Sequence, residues 1–229
     1  ILHLDLGGGV ALKAIGLLDT RLPGGQPGFS LLAIVTVEGF KSIPLGFGFF
    51  LSGVGGLIGI HRTILQDPLL AGVRNHTLDH ILFAEDPVRN APALIATVGA
   101  VFPPSKGRHL LCLMIQATFG KPALLHINLA VGVEFHGGFH VSKFFVMGQI
   151  KSLLPDKDRD LIRLHMDVAG VIDFEQKTAA FDAALFDSRL ARTFTISGQM
   201  ALRARSGASR SRNSSSASRI TVRRSHPPL

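Results

Sequence analysis

Gly53-Val54-Gly55-Gly56-Leu57-Ile58-Gly59-Ile60-His61-Arg62 is the stretch on which the reading of this chain turns. It closes an uncharged run from Ile43 to Ile60, 18 residues that meet the lower length for a membrane span. Six of those residues are Gly and one is Pro, and each Gly costs a helix about 1 kcal/mol relative to Ala. Ile43, Leu45, Phe47, Phe49 and Leu51 alternate with Gly46 and Gly48, the period of a strand. A strand running into a Gly-rich loop fits better than a spanning helix. The glycines resemble a phosphate loop, but no Lys-Ser/Thr ending follows and no βαβ unit surrounds them, so a packing turn is expected.

Upstream, Phe29, Leu31, Ala33, Val35 and Val37 alternate with Ser30, Leu32, Ile34 and Thr36. Both sets are largely apolar, as in a strand covered on both faces. Downstream, residues 67–100 change to helical spacing. Asp67-Pro68 reads as an N-cap with Pro at the first helical position, Thr77 as a second cap, and Asp86-Pro87 as the start of a third helix stopped by Pro103-Pro104. From 108 on, strands return. Leu125, Ile127, Leu129, Val131, Val133 and Phe135 oppose His126, Asn128, Ala130, Gly132 and Glu134. Ile162, Leu164, Met166 and Val168 oppose Arg163, His165 and Asp167. Pro155-Asp156-Lys157-Asp158 and Glu175-Gln176-Lys177 read as polar turns. The expected class is α+β and mainly β: a large antiparallel meander sheet with one wet face and a small helical insertion near 67–100.

The 229 residues, 46% of them apolar, suffice for a core. The net charge of +8 is concentrated in the tail: residues 1–202 hold 17 Lys/Arg against 16 Asp/Glu, and the other seven Arg lie in 203–229. The expectation is one β-rich domain over 1–204 and a disordered basic Ser/Arg tail over 205–229. Nucleic acid would be bound through that tail alone. A one-base shift in an encoding of Ser211–Pro227 also yields a strand and a Pro turn, so the tail is read as a frameshift product as well. The opening Ile1-Leu2-His3-Leu4-Asp5-Leu6 has no Met and no signal-peptide layout. It reads as part of a larger protein, cytoplasmic by default. The single cysteine, Cys112, reads as a small buried hydrophobe.

Several stretches together resemble a family. They are Leu45–Phe49 through Gly59–Arg62, Leu78–Pro92, Val101-Phe102-Pro103-Pro104, Gly170–Phe174, Leu185–Leu190 and Ser197–Arg203. In this order they resemble a bacterial domain of unknown function, family 6603, over roughly residues 28–204. The resemblance implies a segment of a larger β-rich protein and brings no catalytic residues and no cofactor.

His76-x-x-Asp79-His80 places two imidazoles at i and i+4, and His136-Gly137-Gly138-Phe139-His140 offers two more. His76, His80, His136 and His140 are therefore the metal candidates, in a metal-dependent hydrolase, although the Glu of the usual metalloprotease motif is missing. Phe47, Phe49, Ile127, Leu129, Phe194 and Ile196 are candidates to line a groove for an apolar ligand or lipid. The leading reading is a non-catalytic structural or interaction module. Its partners would be neighbouring segments of a parent protein, or a second copy joined through an exposed sheet edge.

Overall fold

The computed structural model of the chain describes residues 1–138, 140–154, 162–190, 194–206 and 217–224. The turn expected at Pro155-Asp156-Lys157-Asp158 lies outside the described residues, as does most of the basic tail.

Among the described residues eleven strands form one antiparallel sheet in which spatial order equals chain order. They are β1 (Leu2–Asp5), β2 (Ala11–Leu22), β3 (Gln26–Gly46), β4 (Phe49–Arg62), β5 (Pro104–Phe119) and β6 (Leu125–His136), followed by β7 (His140–Leu154), β8 (Ile162–Asp173), β9 (Thr178–Leu190), β10 (Phe194–Arg205) and β11 (Ala217–Arg224). The sheet is a meander and does not close on itself. Part of the stretch expected to be disordered is thus a strand: Ala217–Arg224 pairs with β10, Ile196 facing Val222 and Gly198 facing Ile220. The alternation of Ile220 and Val222 with Arg219, Thr221 and Arg223 suits a strand, and β10 would otherwise offer an unpaired backbone edge.

The Gly-rich stretch lies inside β4 and is not a loop. A Cβ at Gly55 would come within 2.7 Å of both Thr36 Cγ2 and the Val35 carbonyl, so glycine there lets β3 and β4 approach closely. The chain turns instead at 46–48, where Gly46, Phe47 and Gly48 have φ of 95°, 51° and 84°.

Between the adjacent strands β4 and β5 the chain leaves the sheet to form α1 (Gln66–Arg74), a 3-10 turn at Leu78–His80 and α2 (Ala91–Val101). Its two ends are tied together by Thr63 N–H to Pro103 O at 3.1 Å and Leu65 N–H to Val101 O at 2.9 Å. The expected boundaries shift slightly. Leu65, not Asp67, is the N-cap of α1, and Asp67 lies in the first turn, where its charge favours the helix dipole. Asp86 has a left-handed φ of 41° and cannot open a helix, so α2 starts later, after Asn90 with Pro92 in its first turn. No helix among the described residues is long and apolar enough to cross a membrane.

The insertion packs on one face of the sheet. Leu69, Leu70, Val73, Leu94, Val98 and Phe102 are buried against a floor that includes Ile34, Leu57, Cys112, Phe145, Val171 and Ala180. These floor residues stand side by side in a row, Ile34–Leu57–Cys112–Gly132–Phe145–Val171–Ala180. Gly132 admits the Phe145 ring, since a Cβ there would be 2.3 Å from Cζ.

This placement reverses the expected wet and dry faces. Ala130 and Glu134 on β6 and Asp167 on β8, expected at the surface, are fully buried, while Val131 is 38% exposed. Nor is β3 covered on both sides: Leu32 and Ile34 are buried, whereas Phe29 and Val35 are exposed. The apolar insertion captured the mixed face and left the purely apolar one open.

Candidate functional site: a polar cleft and an open apolar face

On the covered face, polar side chains gather at the two ends of the apolar floor. At one end Glu134, with no exposed surface, anchors the root of the insertion. Its carboxylate accepts hydrogen bonds from Thr63 Oγ1, from the Ile64 amide at 2.9 Å, from Ser142 Oγ at 2.8 Å and from Arg108 at 2.6 Å. Lys143 lies 3.2 Å from the same carboxylate and donates to Ile64 O at 3.0 Å. Burial alone would raise the Glu134 pKa. The Thr63, Ile64 and Ser142 hydrogen bonds and the Lys143 charge outweigh it and hold the group below its ordinary value.

At the other end the register sets Glu38, Gly53, Gln116, Asn128, Gln149 and Asp167 side by side across β3 to β8. The neighbouring row is Thr118, His126, Lys151, His165 and Phe186. Asn128 Nδ2 makes a long contact of 3.4 Å to Gln149 Oε1, and Gln149 Nε2 donates to Asp167 Oδ1 at 3.0 Å. Lys151 Nζ bridges up to Asp79 of the insertion at 2.9 Å. Burial pushes the Asp79 pKa up, but hydrogen bonds from Lys151 and Gln149 together with the Lys151 charge bring it below its usual value. Lys13, buried, pairs with Glu38 and donates to Ala84 O at 2.9 Å. The insertion stops short of this end, leaving a cleft of about 670 Å³ between its 79–90 segment and the amide row.

The histidine candidates are spread apart. His76, at a left-handed φ of 58°, stacks on Phe186 with ring centroids 3.3 Å apart. Burial lowers its pKa, and the charge of nearby Asp167 only partly opposes this. His136 lies 3.5 Å from Glu175, and its ring centroid is 6.2 Å from that of His140. His76 stands by the row containing His126, whereas His136 closes the far end of β6, ten residues or about 33 Å along an extended strand. The side chain of His80 lies outside the described residues. Among the described residues no group of three or more His, Cys, Asp and Glu is arranged to hold a metal ion.

The apolar groove candidates are also dispersed. Phe47 is 99% exposed at the β3–β4 turn. Phe49 packs its ring on Phe119 of β5 at 5.0 Å. Ile127 and Leu129 stand on β6, while Phe194 and Ile196 are on β10 facing Leu190 and Ser188. Six strand spacings, about 29 Å in a flat sheet, separate β4 from β10. The six residues do not line one groove.

The open face carries the larger feature, which the sequence reading did not single out. Three successive rows cross β2 to β10 without a polar side chain. The middle one runs Ala14–Val35–Gly56–Leu113–Val131–Val146–Gly170–Phe181–Leu202. The flanking rows pass through Ile58, Leu111, Val133 and Phe144, and through Val54, Ile115, Leu129 and Val168. Leu113 is 71% exposed and Ile58 53%. The alternation that marked β6 and β8 as strands already contained those strands' share of these rows; only the assignment of inside and outside was missing. Gln116 and Gln149, by contrast, become partners of Asn128 only through register, which no local pattern reveals.

Neither a curated protein nor a solved structure matches the chain. A family model does match, over residues 1–215, further in both directions than the 28–204 expected from the sequence. The chain belongs to that family, a family of unknown function (DUF6603).

Proposed function

We propose that the chain is a non-catalytic structural module that works through the open face of its sheet, and that the surface covering this face is a second copy of the chain. The observation that carries the reading is the set of three uncharged rows. At strand spacings of about 4.8 Å and same-face spacings of about 6.7 Å they span roughly 20 Å by 43 Å, on the order of 850 Å². That exceeds the few hundred Å² of apolar patch usual on a monomer and matches the roughly 800 Å² per partner of a stable interface. Two such faces stack as sheets do in a sandwich, about 10 Å apart. Analytical ultracentrifugation tests it. The chain sediments as a dimer at micromolar concentration, and Leu113→Glu with Val131→Lys returns it to monomer with unchanged circular dichroism. A wild-type chain that stays monomeric throughout the concentration series defeats the reading.

A second reading, an apolar ligand or lipid on the same face, is favoured by a hollow of about 420 Å³ lined by Ile58, Ile60, His109, Leu111 and Phe135. Native mass spectrometry of the purified chain separates the two: a co-purified lipid mass supports the ligand, and a bare dimer mass supports self-association.

A further inference from the structure

We infer that the polar cleft at the amide end of the covered face is a binding site for a neutral saccharide. Its volume, about 670 Å³, falls within the roughly 300–1,000 Å³ of small-molecule sites. Its floor is the row of Gln116, Asn128 and Gln149, three amides from three adjacent strands. A side-chain amide offers an acceptor and two donors, the complement of a hydroxyl group, which both donates and accepts. Adjacent amides in a sheet row are about 4.8 Å apart, so neighbouring hydroxyls of one ring can be met by neighbouring strands.

The floor is not self-satisfied. Asn128 Oδ1 is buried and has no hydrogen-bond partner among the described residues, and the Asn128–Gln149 contact is long at 3.4 Å. A buried acceptor left in this state costs about 1–3 kcal/mol, which a ligand hydroxyl would recover.

The charges select for a neutral ligand. The cation on the cleft wall, Lys151, is held by Asp79 at 2.9 Å, and Glu38 is held by Lys13. Among the described residues no unpaired cation stands on the wall to take a phosphate or carboxylate; the wall's other charged group, Glu85, is an acid. One wall is apolar. Phe83 takes the left-handed φ of 48° that bulky residues avoid, and its Cε1 would lie 3.0 Å from a Cβ at Gly53. Glycine at 53 therefore admits the ring beside the amide row, where Phe83, 4% exposed, closes the apolar side of the cleft. Strain of this kind concentrates at ligand clamps.

The test is a titration of the full chain, followed by isothermal calorimetry and amide-resolved NMR. The probes are glucose, galactose, mannose, N-acetylglucosamine and their β- and α-linked disaccharides, with inorganic phosphate in parallel. At least one sugar should bind with millimolar or tighter affinity and shift the amide signals of Gln116, Asn128 and Gln149. Asn128→Leu should weaken it at least tenfold. If Asn128→Leu does not fold, His126→Ala at the exposed rim is substituted and should weaken binding several-fold. Absence of binding by every sugar, binding with undiminished affinity in the folded variant, or phosphate binding tighter than any sugar each overturns the inference.

Discussion

The two faces of this sheet share one backbone and are opposite in character. The covered face mixes Leu57, Cys112 and Phe145 with Glu134, Gln149, Asp167 and Asp182, all of them almost completely buried. The open face, along its three central rows, is apolar from β2 to β10, with Leu113, Ile58 and Leu111 about half exposed or more. In an antiparallel sheet with one wet side the polar alternates normally face water. Here the polar alternates are held under an insertion that supplies their partners: Thr63 and Ile64 for Glu134, Arg74 for Asp182, Asp79 for Lys151. The difference teaches that covering is decided by what is available to cover. Alternation alone tells that there are two faces, and not which one is inside.

The largest effect that would break this comparison comes from the buried polar anchor. Glu134→Ala leaves Lys143, Arg108 and the Ile64 amide without their carboxylate, and should cost about 3–5 kcal/mol in urea unfolding. A loss below 1 kcal/mol would mean that the anchor is dispensable. Next comes a matched pair of truncations. Leu57→Ala on the covered face should cost about 2–5 kcal/mol. Leu113→Ala, one strand away on the open face, should stay within about 0.5 kcal/mol in dilute solution, where no partner covers it. Equal losses at the two positions would erase the distinction between the faces.

Acid should weaken the fold in two stages. His76 and His109 have folded pKa values below their ordinary 6.5, chiefly because burial disfavours the imidazolium. The unfolded chain therefore takes up protons that the folded chain refuses, and stability falls as the pH drops below about 6.5. Asp79 and Glu134, also depressed, add stability that is complete above their unfolded values near 4 and is lost as the pH falls through their folded values. Urea midpoints that rise on acidification from pH 7 to 5 would contradict this sign. The smallest effect is chemical. Burial pushes the Cys112 thiol up to about 12, so a thiol-specific reagent at pH 8 should label the native chain far more slowly than the urea-unfolded one.

Much of the architecture was legible beforehand. The alternation in Leu125–Phe135 and Ile162–Val168 marks β6 and β8, and the spacing after Asp67 marks the insertion. The glycines of β4 misled because a glycine admitting a neighbour resembles a glycine making a turn: Gly55 yields to Thr36, and nothing in its own segment announces Thr36. The candidate sites were less legible for the same reason. Gln116, Asn128 and Gln149 lie in three strands and meet through register alone, whereas the paired histidines were conspicuous in sequence and are divided between the two ends of the sheet.

A sheet whose spatial order is its chain order has a history during synthesis. Each strand can zip onto the one made just before it, so nearly every pairing is a hairpin with a small loop to close. The insertion is the exception. Once residues 63–103 have emerged, Lys13 can already reach Ala84, but Arg74 must wait 108 residues for Asp182 on β9. Until then the apolar side of α1 has only part of its floor. The insertion is thus a clasp that closes late on a sheet assembled strand by strand, and its seating marks the moment when the chain stops being a row of hairpins and becomes one cooperative body.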